Sequence, residues 1–164
     1  MVSRSEHVSE TAATRWLRAN KLAFAEHVVA YVAHGGARHS AEALGVDPFG
    51  VVKTLVMQDE HARPLLVLMH GNRSVSTKSL ARQIGRKSVR PCEPEVANRH
   101  SGYLVGGTSP FATRRQMPVF YEHSILGLPR MLINGGKRGY LVELEPANCL
   151  RLLGAQPVRC ALAE

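Results

Sequence analysis

The sequence predicts an α+β fold with a mixed, largely antiparallel sheet, folded as a single domain over residues 1–164. Several short apolar runs follow one another without helices between them, which argues against a doubly wound parallel sheet. Amphipathic segments with capping residues separate the other runs irregularly. A length of 164 residues with 45% apolar and 21% charged residues suits one globular domain with its own core.

Polar and glycine punctuation divides the first half of the chain into two helices and two strands. The predicted elements are helices over residues 9–21 and 39–45, then strands over 51–57 and 65–70. In the second helix Ser40 is the expected N-cap, and Gly45 lies just beyond the end. The two strands are joined by a short polar stretch, so we expect them to form a hairpin.

The second half contains three helical patterns and four short strand patterns. The helices are predicted over 76–85, 93–102 and 145–154, and the strands over 102–107, 117–121, 130–136 and 139–144. Ser76 is the expected N-cap of the first of these helices and Gly85 marks its end, while Pro146 suits the first turn of the last helix.

The formal net charge of +8 favours polyanionic partners, through long-range attraction and counterion release. High solubility alone would explain the same excess. The basic residues form two groups, one of Lys78, Arg82, Arg86, Lys87 and Arg90 and one of Arg114, Arg115, Lys137 and Arg138. The second group flanks two glycine-rich turns and is the more suggestive of function.

The chain is expected to be a soluble, cytoplasmic protein. Residues 1–10 lack the apolar segment of a signal peptide, and no apolar run is long enough to cross a bilayer. Cys92, Cys149 and Cys160 follow no disulfide or metal-ligand spacing.

Lys53 lies in the middle of the predicted strand 51–57, where both faces are apolar. An unpaired buried ammonium is costly or loses its proton, so Lys53 must extend outward or meet a compensating group. That group is either a carboxylate of the protein or a ligand.

A glycine turn follows an apolar run at Gly106, Gly107, Thr108, Ser109 and Pro110. Glycines allow positive φ and close approach of a ligand, and exposed amides at such a turn polarise an ester carbonyl as an oxyanion hole does. An ordinary tight turn explains the same residues and is the more common case.

A second glycine-rich segment contains Asn134, Gly135, Gly136, Lys137 and Arg138. Asn-Gly suits a type I′ hairpin turn. Alternatively, the Asn134 amide holds a water or substrate while Lys137 and Arg138 face phosphates. The segment alone leaves both interpretations open.

Other chemistries lack their residue patterns. The histidines fit no metal motif, and Cys92 has no second cysteine at the spacing that a zinc deaminase needs. No nucleophile elbow or phosphate loop is present. We therefore expect no metal and no cofactor.

Residues 44–57, 103–118 and 133–144 together resemble the YbaK/EbsC family, free-standing relatives of the editing domain of bacterial prolyl-tRNA synthetases. The resemblance extends from about Phe24 to Leu153, in the same order. It implies a compact α+β fold around a barrel-like sheet and metal-independent hydrolysis of the ester of a mischarged tRNA, often tRNA(Pro).

The resemblance also implies roles for individual residues. Lys53 matches the central lysine of the family, which meets the phosphate or ribose end of the substrate, and Thr54 matches the polar position beside it. Gly106 and Gly107 match the glycine turn whose amides face the scissile carbonyl, with Thr108, Ser109 and Pro110 completing that motif. Tyr31 matches an aromatic pocket residue. The remaining expected substrate-binding residues are Gly135, Gly136, Lys137 and Arg138.

Two positions depart from the family pattern. Cysteine-removing members carry a serine before the second pair of glycines and an aspartate after it, whereas this chain has Asn134 and Leu141. Alanine-removing relatives have a histidine at the first position. The amino acid removed is therefore not fixed by the sequence.

The expected function is aminoacyl-tRNA deacylation of the Cys-tRNA(Pro) type, with Lys53, Gly106, Gly107 and Asn134 as the catalytic residues. Aminoacyl-tRNA and, by family analogy, prolyl-tRNA synthetase are the expected partners of a monomer. The alternatives are a module that binds aminoacyl-tRNA or the synthetase without hydrolysis and, less favoured, an esterase for a small non-RNA ester.

Overall fold

The structure is a computed structural model that describes residues 10–164. Its helices are α1 (Ala12–Ala19), α2 (Gly36–Leu44), α3 (Thr77–Ile84), α4 (Pro94–Ser101) and α5 (Pro146–Leu152). Its strands are β1 (Ala25–Val28), β2 (Val51–Asp59), β3 (Pro64–His70), β4 (Arg73–Val75), β5 (Val89–Pro91), β6 (Val119–Glu122), β7 (Met131–Lys137), β8 (Tyr140–Leu144), β9 (Gln156–Val158) and β10 (Ala161–Ala163). None of these helices is long and apolar enough to span a membrane. The prediction that residues 1–10 lack a signal peptide concerns a segment almost wholly outside the described residues.

An eight-stranded sheet forms the centre of the fold, in the order β1-β8-β7-β2-β3-β6-β9, with β5 paired to the far end of β2. β2 pairs with β7, β3 with β6, and β6 with β9 in parallel. The other pairings are antiparallel, including the separate pair of β4 and β10. This confirms the predicted α+β class and the mixed, largely antiparallel sheet, and β2 and β3 form the predicted hairpin.

Both faces of the β2–β3 hairpin are covered, as its sequence predicts. Val52 and Val56 point into a core shared with α1, α4 and α5. Met57, on the opposite face, packs against α3, while Val51 on that same face packs against Ala41 of α2. Lys53 lies between Val51 and Met57 on this second face, in the interval between the two helices.

The predicted cap of α2 and the strand predicted over residues 102–107 differ in the structure. Helix α2 begins at Gly36 with Gly35 as its N-cap, so Ser40 lies inside the helix and caps nothing. Residues 102–107 form turns instead of the predicted strand. Gly102 ends α4 with a φ of 81°, and the amide of Tyr103 then donates to the Ser101 hydroxyl, so the backbone is not extended there.

Asp59 closes the β2–β3 hairpin from a buried position. Its Oδ1 accepts hydrogen bonds from the amides of His61 (2.9 Å) and Arg63 (3.0 Å), and its Oδ2 accepts one from Arg63 Nε at 3.0 Å. Arg86 Nε also lies 3.0 Å from Oδ2, an ion pair without hydrogen-bond alignment. Burial raises the pKa of Asp59, but the hydrogen bonds and charge of Arg63, with the amide of His61, outweigh it and lower the pKa to about 2.

We expect Asp59 to make the fold sensitive to acid. Because its pKa is lowered from the ordinary 3.8, its contribution is complete above about pH 4 and is lost as the pH falls towards 2. Asp59→Asn should cost about 1–3 kcal/mol at neutral pH and remove that part of the pH dependence. Urea unfolding of both proteins across this range measures the effect. Parallel stability curves for the two proteins would contradict it.

Candidate active site

The Lys53 ammonium is held by the protein itself. Its Nζ donates hydrogen bonds to the carbonyl oxygen of Arg73 at 2.6 Å and to Oε2 of Glu164 at 3.3 Å. The side chain retains 24% of its exposure, so it is neither buried alone nor extended into solvent. A protein carboxylate, one of the two groups that the sequence allowed, therefore contacts the ammonium.

Glu164 reaches Lys53 because β10 pairs with β4. Its Oε1 accepts hydrogen bonds from Arg38 of α2, the shorter at 2.8 Å, and the Ser74 hydroxyl lies 3.3 Å from Oε2. The hydrogen bonds of Arg38 and the nearby charge of Lys53 lower the pKa of the Glu164 carboxyl. The sequence does not reveal this partner, because 111 residues separate it from Lys53 and no local pattern links the two.

The glycine turn lies against the β7–β8 hairpin. Gly106 has a φ of 94° and is exposed, whereas Gly107 is buried against the backbone of Lys137 and Arg138. The Gly107 amide donates to the Leu104 carbonyl at 2.7 Å and so closes the turn. Within residues 10–164 the amides of Gly106 and Thr108 donate no hydrogen bond. These two amides are therefore the donors that the turn can offer to a ligand.

Asn134 connects the two glycine-rich segments. Its Nδ2 donates to the carbonyl oxygens of Gly106 (3.2 Å) and Lys137 (3.1 Å), and its Oδ1 accepts from the amides of Gly136 (2.6 Å) and Lys137 (3.1 Å). It stabilises a bulge between Asn134 and Lys137, not a tight turn.

The hairpin turn lies farther along the chain. Arg138 and Gly139 connect β7 to β8, so the type I′ turn suggested for Asn134 and Gly135 is absent. The type I′ interpretation of that pair is therefore wrong, and the structural role of Asn134 is the bulge that its side chain stabilises.

Tyr31 and Arg138 form one wall beside the glycine turn. The Arg138 guanidinium lies 4.8 Å from the centre of the Tyr31 ring, and its Nε donates to the carbonyl of Val105 at 3.0 Å. A Cβ on Gly106 would be 2.9 Å from the Tyr31 ring, so this wall closes directly on the turn. Tyr31 as a residue is 43% exposed.

The remaining predicted residues are less accessible. Ser109 and Pro110 are buried, and the Ser109 hydroxyl accepts from the amide of Phe111. Gly135 packs on Tyr140, and Gly136 on Tyr103. These residues shape the site without presenting side chains to it.

The Thr54 hydroxyl is buried and, among the described residues, has no hydrogen-bond partner. It projects to the opposite face of β2 from Lys53, because neighbouring residues of a strand alternate.

Lys53 and the glycine turn are related through the sheet. β2 and β7 pair in parallel with Val52 opposite Ile133, so the next residues, Lys53 and Asn134, project on the same face. The structure therefore gathers Tyr31, Gly106, Gly107, Asn134, Lys137 and Arg138 into one contact cluster, with Lys53 on the neighbouring strand. Neither hydrogen bond of the Lys53 ammonium is made to the turn.

The cysteines do not suit nucleophilic attack. Burial raises the pKa of Cys149 to about 12 and, together with the charge of Glu122, that of Cys160 to about 11. Burial also raises the pKa of Cys92. Thiols in this state stay protonated at neutral pH. Within the described part of the chain, no three His, Cys, Asp or Glu side chains are grouped as metal ligands.

A family model described as an aminoacyl-tRNA editing domain matches residues 35–152. The chain belongs to this family. The matched segment contains Lys53, both glycine-rich segments and Asn134, whereas Tyr31 and Glu164 lie outside it. The matched segment extends from the start of α2 to the end of α5.

Individual relatives agree with the family. An Enterococcus faecalis protein named "Putative Cys-tRNA(Pro)/Cys-tRNA(Cys) deacylase EbsC" is 28% identical over 94% of this chain and 95% of its own length. A proline–tRNA ligase of Limosilactobacillus fermentum is 23% identical over 62% of this chain but only 18% of its own length. A solved structure described as "a putative trans-editing enzyme for prolyl tRNA synthetase" has a TM-score of 0.80 at 23% identity, covering 99% of this chain and all of its own. This last likeness confirms the fold.

Leu141, one of the two departures from the family pattern, is a core residue in this editing domain. It is 4% exposed and packs with Val51, Leu132 and Ala41. Where cysteine-removing members carry an aspartate, this chain makes an apolar contact with α2 instead.

Proposed function

We propose that this editing domain is an aminoacyl-tRNA deacylase that hydrolyses the ester of mischarged tRNA without a metal ion. The observation that carries the proposal is the hydrogen bond from Asn134 to the carbonyl of Gly106, which joins two segments 28 residues apart beside the strand of Lys53. The family match over residues 35–152 supports the same assignment.

The proposed chemistry needs little beyond positioning and polarisation. An aminoacyl ester is already activated, so its hydrolysis requires a held water and donors for the developing oxyanion. The uncommitted amides of Gly106 and Thr108 fit the donor role. We assign the Lys53 ammonium to the phosphate or ribose of the acceptor end, where its charge complements the RNA.

The route of attack follows from which nucleophiles are accessible. The protonated thiols of Cys149 and Cys160 and the buried hydroxyl of Ser109 are unsuited to forming an acyl-enzyme. Attack by water breaks the ester bond and releases the amino acid and tRNA directly. Attack by the thiol of a cysteinyl substrate forms a cyclic thioester as the ester bond breaks, the thiol proton passes to the departing ribose oxygen of tRNA, and one water then opens the thioester to cysteine. On either route no acyl group is attached to the protein.

We infer tRNA(Pro) carrying cysteine as the leading substrate, because the name of the Enterococcus faecalis relative gives that class. Similarity to proline–tRNA ligases makes prolyl-tRNA synthetase the leading partner. Tyr31 and Arg138 would then contact the acceptor end beside the turn, with Lys137 exposed at the rim.

A panel of tRNA(Pro) charged with cysteine, alanine, serine, threonine or proline tests the function. We expect ester loss above the buffer rate for at least one mischarged species, fastest for cysteine, and no loss for prolyl-tRNA(Pro). Treatment with a chelator should leave the rate unchanged. If the protein binds every charged tRNA but accelerates no hydrolysis, it is a binding module and the proposal fails.

Salt dependence separates tRNA from a small ester. A tRNA substrate predicts that kcat/KM falls steeply between about 50 and 200 mM salt, because bound phosphates release counterions. A salt-independent rate on a small neutral ester, with none on tRNA, would instead assign an ordinary esterase.

A further inference from the structure

A basic groove of about 500 Å³ runs beside α3, outside the residues assigned to the active site. Its polar lining consists of Thr77, Lys78, Arg82, Arg86, Lys87 and Ser88. Leu80 and Ala81 of α3 are buried against the sheet, which fixes the helix and directs the opposite side outward. Lys78 and Arg82 are one turn apart on α3, so their side chains are neighbours on that outward side.

Most of the positive charge in this groove is uncompensated. In the described part of the chain, Lys78, Arg82 and Lys87 make no ion pair with a carboxylate, whereas Arg86 is paired with Asp59. Glu60 accepts hydrogen bonds from the amides of Lys87 and Ser88, two of the lining residues, and offsets part of the positive charge. The groove therefore remains net positive and has no carboxylate in its lining.

The groove begins at Thr77, four residues after Arg73, whose carbonyl oxygen the Lys53 ammonium contacts. Four residues of chain span at most about 14 Å. A polyanion longer than this distance is therefore long enough to extend from Lys53 to the groove.

We propose that this groove binds the phosphate backbone of the RNA strand whose acceptor end contacts Lys53. This inference rests on the proposed deacylase function and adds a surface that neither glycine-rich segment supplies. Exposed lysine and arginine side chains with hydroxyls between them suit phosphate oxygens, and they carry no means of reading base sequence. The groove thus holds and orients the RNA whatever amino acid it carries.

Removing two groove charges tests the proposal. Lys78→Gln with Arg82→Gln forms the groove variant, and Lys21→Asn with Arg151→Gln is the matched control. Lys21 and Arg151 are exposed near α1 and on α5, which pack against the opposite face of the sheet. The probe is an uncharged RNA hairpin of the tRNA(Pro) acceptor stem, with its dissociation constant measured across a range of salt concentrations.

We expect the groove variant to bind about tenfold more weakly at low salt, and its log–log salt slope to be smaller by about 1.4–1.8. The control should match the wild type, and all three proteins should share one melting temperature. Equal binding by the groove variant and the control would overturn the proposal.

The design separates this proposal from the proposed function. Uncharged RNA requires no hydrolysis, so a wild-type protein without deacylase activity could still show the groove effect. Conversely, normal deacylation and normal RNA binding by the groove variant would refute the proposed role of the groove and leave the deacylase function standing.

Discussion

Lys53→Met should lower kcat/KM for deacylation by about 10²–10³-fold, the cost of removing one charged group from a preorganised site. Methionine keeps the methylene packing between α2 and α3 and removes only the ammonium. The Glu164 carboxylate stays paired with Arg38 at 2.8 Å, so no charge is left without a partner. The free energy of unfolding should therefore change by less than about 1 kcal/mol.

Arg38→Met is the matched control for this variant. It also removes a cation that contacts Glu164, but it leaves the Lys53 ammonium and its bond to Arg73 in place. Single-turnover deacylation of both variants, beside urea unfolding, measures the difference. Wild-type activity in Lys53→Met, or an equal loss in both variants, would contradict the assignment of Lys53.

Gly107→Ala should have the second large effect, on stability as well as activity. A Cβ at this position would lie 2.8 Å from the amide nitrogen of Arg138 and 2.9 Å from the carbonyl carbon of Lys137. Both are backbone atoms that side-chain rotation cannot move. The turn must therefore shift from the β7–β8 hairpin, at a cost of about 1–3 kcal/mol, and the amides of Gly106 and Thr108 move with it.

Gly127→Ala controls for the loss of a glycine. Among residues 10–164, and apart from its two chain neighbours, no residue has a heavy atom within 4 Å of a Cβ there. Its φ is not positive either, so stability should change by less than about 0.5 kcal/mol. Thermal unfolding and deacylation of both variants test the expectation. A Gly107→Ala protein with wild-type melting temperature and rate would show that the turn has room.

The sequence predicts those elements whose determinants are local. The β2–β3 hairpin follows from two strongly apolar runs, and α3 from Ser76, which caps it, and Gly85, where it ends with a φ of 73°. The glycine-rich segments are likewise evident from the sequence, because each is a pair of glycines beside an apolar run.

The remainder depends on contacts between distant residues. Strands β4 and β10 have three residues each and exist only because they pair across 80 or more positions. The apolar pattern of residues 102–107 predicts a strand, but the segment forms turns. There Tyr103 is buried, and its hydroxyl donates to the carbonyl of Phe111 at 2.5 Å, a contact that no local pattern indicates. The Lys53–Glu164 contact belongs to the same class, since tertiary pairing of β10 creates it.

The Lys53–Glu164 contact affects how affinity at this site should be interpreted. An anion that approaches Lys53 competes with the Glu164 carboxylate for the ammonium. Because β10 holds Glu164 beside Lys53, that carboxylate is present at a high effective concentration. The apparent dissociation constant is then the intrinsic one divided by the fraction of molecules in which that carboxylate has swung aside. A small free anion such as phosphate would register as a poor ligand, whereas a long polyanion with additional contacts could displace the tether.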